Sequence, residues 1–126
     1  MSGLLFPKKT RKCGRRAHAK SSILQRDIDR NRCWLCMQLR HDYSVHTPGT
    51  LHKHHVYMGP LRSVSEAQGF YVYLCLQHHT QGPEAVHRNA GTCHALQAQM
   101  QKAYEKDHTR EEFLQLIGRS YVDENN

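Results

Sequence analysis

The sequence has no long apolar run. Nowhere in its 126 residues does a stretch approach the roughly 18 apolar residues that a membrane-spanning helix needs. The N-terminus is basic but carries no apolar segment before a cleavage site, so no secretory leader is expected. Aromatic residues are sparse, at 8%. Few lie in the basic N-terminal segment, which therefore lacks the stacking platforms of a dedicated single-strand binder. Acid is scarce there too: residues 1–32 hold only Asp27 and Asp29. No internal repeat occurs, and no asparagine lies between Asn31 and Asn89. These absences argue against a membrane protein, a secreted disulfide scaffold and an acidic disordered chain.

What is present is base, histidine and cysteine. The chain has 18 Lys plus Arg against 11 Asp plus Glu, a formal +7, with 11 His and 5 Cys. Ten of the basic residues fall in residues 1–32, so that segment is +8 and the rest is −1. The reading is a near-neutral body, residues 21–121, with a basic arm at 1–20 and a short tail at 122–126. Lys8, Lys9, Arg11, Lys12, Arg15 and Arg16 are the candidate phosphate-binding residues of the arm. A chain of this length makes one domain with a modest core, which metal ligation would help to stabilise.

Turn and capping residues outline the body. Ser21 or Ser22 is placed to cap a helix from Ile23 to Arg30. Thr47-Pro48-Gly49 reads as a turn, Leu51 to Met58 as a strand, and Gly59-Pro60 as its end. Residues 61–69 read as a loop with at most one helical turn at Ser65 to Gln68. Phe70 to Leu74 reads as a second strand. A helix is expected over 91–107 from Leu96, Met100 and Ala103. Thr109 and Glu112 form a capping box for a last helix that stops at Gly118.

Cys33-x2-Cys36 and Cys75-x2-His78 are two ligand pairs. A two-residue gap lets both side chains of a tight knuckle reach one ion, and two such pairs complete a tetrahedral Cys3His zinc site. Without export, this spacing points to metal rather than disulfides. Cys13 and Cys93 have no comparable partners. Between the knuckles lie His54 and His55, and His79 follows the second knuckle. Adjacent strand residues face opposite sides, so a division of labour is expected, one histidine holding a metal and the other polarising a water.

These residues resemble the HNH, or ββα-metal, nucleases of the zinc-knuckle type. The likeness is carried by Cys33-Trp34-Leu35-Cys36, by Leu51-His52-Lys53-His54-His55-Val56, and by Tyr73-Leu74-Cys75-Leu76-Gln77-His78-His79. From Ser21 to Tyr121 the chain is also similar to small HNH-like proteins of bacterial phages and prophages. That broader likeness runs through Ser22-Ile23-Leu24-Gln25, His54-His55-Val56, Tyr73-Leu74-Cys75 and Ala85-Val86-His87. The resemblance implies an α+β fold: a small zinc-stabilised ββα-metal, treble-clef-like domain with flanking helices and the basic N-terminal arm.

It further implies a metal-dependent DNA endonuclease. His55 would be the general base, and His54 and His79 would hold a catalytic Mg2+, Mn2+, Ni2+ or Zn2+. His87 is a candidate third ligand, and Arg62 and Lys53 are candidate phosphate clamps. The partner would be DNA, with no membrane, and the protein a monomer or homodimer in the cytoplasm of a bacterial host. One family feature is missing. The asparagine that orients the base should precede the second strand, where this chain has Gln68-Gly69-Phe70. The backbone, Gln68, or a role moved to His87 or Asn89 would have to replace it. The Gly82-Pro83 break also implies a shortened or interrupted metal-site helix. The alternative is a non-catalytic zinc-binding module that binds nucleic acid and uses its histidines structurally.

Overall fold

A computed structural model describes residues 20–122. The candidate arm residues Lys8, Lys9, Arg11, Lys12, Arg15 and Arg16, together with Cys13, lie outside the described residues.

Two short strands, β1 (His52–His55) and β2 (Tyr71–Leu74), pair antiparallel, with His52 opposite Leu74 and His55 opposite Tyr71. Before β1 lies α1 (Trp34–Arg40). Between the strands lies α2 (Arg62–Gln68), entered through a 3-10 turn at Gly59–Leu61. After β2 come a single π turn (Gln77–Gln81), then α3 (Ala90–Tyr104) and α4 (Arg110–Ile117). The described chain is thus a mixed fold of helices and one two-stranded sheet.

The core lies where the end of β1, the start of β2 and the last two helices meet. Val56, Tyr57, Phe70, Val72, Leu74, Met100 and Phe113 are fully buried there. Rings meet edge to face, Tyr57 on Phe70 and Phe70 on Tyr104, both with centroids 5.4 Å apart, a geometry aromatic quadrupoles favour. The helix α3 starts on the Asn89 side chain, which accepts from the Thr92 N–H, and buries Leu96, Met100 and Tyr104 on one face. It is shorter at its C-terminal end than the expected 91–107. Thr109 and Glu112 form the capping box on α4 reciprocally, and Gly118 ends that helix at φ 95°. Phe113 and Ile117 of α4 close the core, while Leu114 faces outward.

Two local expectations are corrected. The helix expected over Ile23 to Arg30 is only a 3-10 turn at Asp27–Asp29. Ser22 does cap, its Oγ accepting from the Gln25 N–H at 3.0 Å, but it closes a turn. The buried Gln25 then spends its amide on the carbonyls of Asp29 and Arg32 and accepts from the Tyr73 N–H. The bond from Tyr73 ties the segment to β2, the other two replace a helical ladder, and Ile28 is left 73% exposed.

The expected loop over 61–69 is instead the two-turn helix α2. Ser65, fully buried, donates to the Tyr57 carbonyl at 2.7 Å and accepts from the Tyr57 N–H, which fastens α2 to the end of β1. Gly69 ends α2 at φ 81°, and a Cβ there would collide with the Ser21 carbonyl. Only glycine meets both demands.

Candidate metal centres

Cys33 is the N-cap of α1, its sulfur accepting from the Cys36 N–H at 3.4 Å, so one helical turn carries the first ligand pair. Cys75 follows β2 directly, and the chain turns at once, with the N–H groups of His78 and His79 both donating to the Cys75 carbonyl. Around His78 Nδ1 stand Cys33 Sγ at 3.5 Å, Cys36 Sγ at 3.4 Å and Cys75 Sγ at 3.5 Å, with the Cys36 and Cys75 sulfurs 3.9 Å apart. A tetrahedral ion with ordinary bonds to sulfur and nitrogen sets neighbouring donors about 3.5–3.8 Å apart. A disulfide would need about 2.05 Å. All four side chains can therefore hold one metal ion.

Burial pushes the Cys33 and Cys36 thiols up; the neighbouring Cys33 and Cys75 sulfurs add to the effect at Cys36, while backbone hydrogen bonds oppose it at Cys33. Three clustered thiols in such a place become thiolates only beside a cation. Cys93 is half-buried at the edge of the core and joins no such cluster among the described residues.

A second cluster is made of histidine alone. His54, His79 and His87 each offer one ring nitrogen, all within 4.8 Å of one another. His79 Nε2 and His87 Nε2 are 3.2 Å apart. Imidazoles sharing one tetrahedral or octahedral ion sit about 3.0–3.4 Å apart. His54 is 2% exposed. Its Nε2 is one of two buried side-chain nitrogens or oxygens without a hydrogen-bond partner among the described residues, Trp34 Nε1 being the other. A buried ring nitrogen without a hydrogen-bond partner, on a residue that clusters with two further imidazoles, fits a ligand better than a packed core histidine. Burial, followed by the neighbouring His79 and His87, pushes His54 down to about 3. Burial and then His87 and His52 lower His79 as well. Both therefore stay neutral, the form that ligates.

Backbone hydrogen bonds explain His87. The Val86 N–H donates to the His78 carbonyl at 2.9 Å and the His87 N–H to the His79 carbonyl at 3.2 Å. The turn after Gly82-Pro83 is thereby folded back beside the π turn. Asn89 takes no part, since its side chain caps α3 and donates to the Pro83 carbonyl.

Strand alternation divides the histidines of β1. His52 and His54 are two residues apart and meet the same partner: His52 Nδ1 lies 2.9 Å from His79 Nδ1, and the His54 and His79 rings stand edge to face. Sequence reasoning gave His52 no role, although its i, i+2 spacing from His54 on a strand is the available signal. Lys53 and His55 instead meet Glu66. Glu66 Oε1 is 2.7 Å from His55 Nε2, and Glu66 Oε2 accepts from Lys53 Nζ at 2.7 Å.

Burial alone would raise the Glu66 carboxyl, but the hydrogen bonds from Lys53 and His55 outweigh it and hold it below its usual range. None of the residues expected to replace the family's asparagine is hydrogen-bonded to His55 among the described residues. Gln68 accepts from Lys20 Nζ instead. Glu66 was missed because its segment reads as loop, and only a helix there brings its carboxylate over β1.

A cleft of about 280 Å³ is lined by Lys53, His54, His55, Met58, Arg62, His79 and His87. It brings the second cluster and His55 to one opening. Arg62 is in no ion pair among the described residues, whereas Lys53 is engaged by Glu66 and by the Tyr71 ring, 4.1 Å from its centroid. A somewhat larger cleft, about 340 Å³, borders the Cys3His cluster, but its cation, Arg40, faces Glu84 at 3.7 Å.

Fold and site together define a small mixed α/β protein with one Cys3His cluster that can hold a metal ion and no helix long and apolar enough to cross a membrane among the described residues. Compared with known proteins, the chain matches no family model, no curated protein and no solved structure.

Proposed function

We propose that the protein is a metal-dependent endonuclease of the HNH, ββα-metal type that hydrolyses DNA phosphodiester bonds. In this reading the Cys3His cluster holds structural zinc, and β1, β2 and the π turn stand for the family's ββα unit. The observation that carries it is the cluster of ring nitrogens of His54, His79 and His87, with one nitrogen of His54 buried and unpartnered, in a cleft that also reaches His55. Three imidazoles are a donor set for Zn, Ni, Co or Mn more than for Mg, though Mg with several waters also fits. A divalent cation there supplies charge neutralisation on the scissile phosphate and the leaving oxygen.

The chain's own groups do the rest. His54, His79 and His87 present ring nitrogens to the cation. Arg62, free of carboxylates, binds a phosphate oxygen. His55 takes the proton of the attacking water. The basic segment 1–20 adds sequence-independent attraction to DNA, which weakens as salt rises.

The test is plasmid cleavage by the full chain with Mg2+, Mn2+, Ni2+ or Zn2+. Wild type should nick or cut, and His55→Ala should lower the rate about 100-fold or more while leaving the fold intact. Equal inertness of the two proteins across all four metals would sink the proposal. The competing reading, a non-catalytic zinc module that binds nucleic acid, is favoured by the missing asparagine. It predicts a single metal per chain and salt-sensitive binding without cleavage.

A further inference from the structure

We infer that Glu66, held by Lys53, is the positioning residue that fixes the His55 tautomer and leaves Nδ1 as the atom that receives the proton. The inference rests on the nuclease reading for the role of His55, but its geometry stands independently of it. Glu66 Oε1 lies 2.7 Å from His55 Nε2. A carboxylate accepts and does not donate, so this contact requires the proton on Nε2. In the neutral imidazole the lone pair is then on Nδ1, for which no hydrogen-bond partner occurs among the described residues.

The carboxylate is itself immobilised. Its other oxygen accepts from Lys53 Nζ at 2.7 Å, and that ammonium sits 4.1 Å from the Tyr71 ring centroid. Tyr71 is the cross-strand partner of His55 and stands edge-on to its ring. Lys53, His55 and Tyr71 thus come from facing sheet positions, while Glu66 comes from α2, which Ser65 anchors to Tyr57. Each end of the Glu66 contact rests on an ordered element. A second group that holds the far nitrogen of a working imidazole sets its tautomer and ring direction.

In the step this serves, one O–H bond of water breaks and its proton goes to His55 Nδ1. The water oxygen forms the new P–O bond as the P–O3′ bond breaks, and the leaving oxygen takes a proton from solvent. Glu66 touches neither water nor phosphate and stays ionised throughout.

Two readouts decide the matter. Long-range 1H–15N correlation spectra of the zinc-loaded full chain, in mildly alkaline buffer, report the imidazole tautomers. Wild type should show His55 protonated on Nε2, and Glu66→Ala should convert it to a mixture of both tautomers. Cleavage kinetics should show kcat falling about 10–100-fold in Glu66→Ala, with KM within a few-fold of wild type. Lys53→Met, which keeps the carboxylate but frees it to rotate, should fall between. An Nδ1-protonated His55 in wild type, or an unchanged tautomer in Glu66→Ala, overturns the inference. So does an unchanged kcat in an active Glu66→Ala protein. If wild type cleaves nothing with any metal, the nuclease reading fails and the tautomer spectra alone decide the role of Glu66.

Discussion

His78 and His79 are neighbours in sequence yet belong to different clusters, and the two clusters differ in every property that matters to a ligand. The Cys3His set is four side chains, three of them buried. A closed four-ligand shell leaves no coordination position for substrate, which is the mark of a structural site. The histidine set has three ligands, graded from buried His54 through half-buried His79 to exposed His87, and it opens on a cleft. Charge separates them further. Three thiolates around a dication leave one net negative charge, whereas three neutral imidazoles leave both positive charges for an anion. With a dication in each, the first arrangement would repel phosphate and the second would attract it. The peptide bond between His78 and His79 couples them, so the closed site sets the position of the open one.

Removing a thiol should have the largest effect. Cys36→Ser should abolish folding at ordinary temperature, because ligation at a structural zinc site is worth about 10–16 kcal/mol to a fold of this kind. Metal analysis should then find both ions gone, and far-UV circular dichroism should show the helices lost. If the variant stays folded and keeps a second ion, the two clusters are independent and the coupling through the π turn is wrong.

A smaller effect is expected at the open site. His87→Ala should weaken the second ion about 100-fold while leaving the Cys3His ion and moving Tm by only a few degrees, since His87 is exposed. Isothermal titration with Ni2+ or Zn2+, together with a thermal melt, checks both halves. A collapse of the fold would mean that the open cluster is structural as well.

The mildest probe is acid. His54 in the fold stays neutral until about 3, while its ordinary value is 6.5. Between those values the unfolded chain binds the extra proton, so stability rises with pH through the window and falls as pH drops from 6.5 towards 3. Denaturant midpoints of protein carrying only the Cys3His ion should show that slope. His54→Gln should flatten it, and an identical slope in the variant would show that His54 is not the group responsible.

Several features were legible in the sequence because they are set by neighbours along the chain. The C-x2-C and C-x2-H spacings place ligand pairs on one turn, and the four residues meet as their spacing suggested. Thr109 and Glu112 cap α4 with bonds that span three residues. The turn at Thr47-Pro48-Gly49 follows from local chemistry in the same way. Gln25 and Glu66 were not legible. Gln25 abandons a helix because its amide finds Asp29, Arg32 and Tyr73, the last 48 residues away. Glu66 reaches His55 because Ser65 finds Tyr57.

By itself the sequence determined which side chains can act as metal ligands and which local turns present them, because ligand identity and capping depend on residue type and short spacing. Only the tertiary structure decided that His87 folds back beside His79 and that Glu66 reaches His55. Those placements depend on backbone hydrogen bonds and close approaches between segments far apart in the chain, for which no local pattern carries a signal.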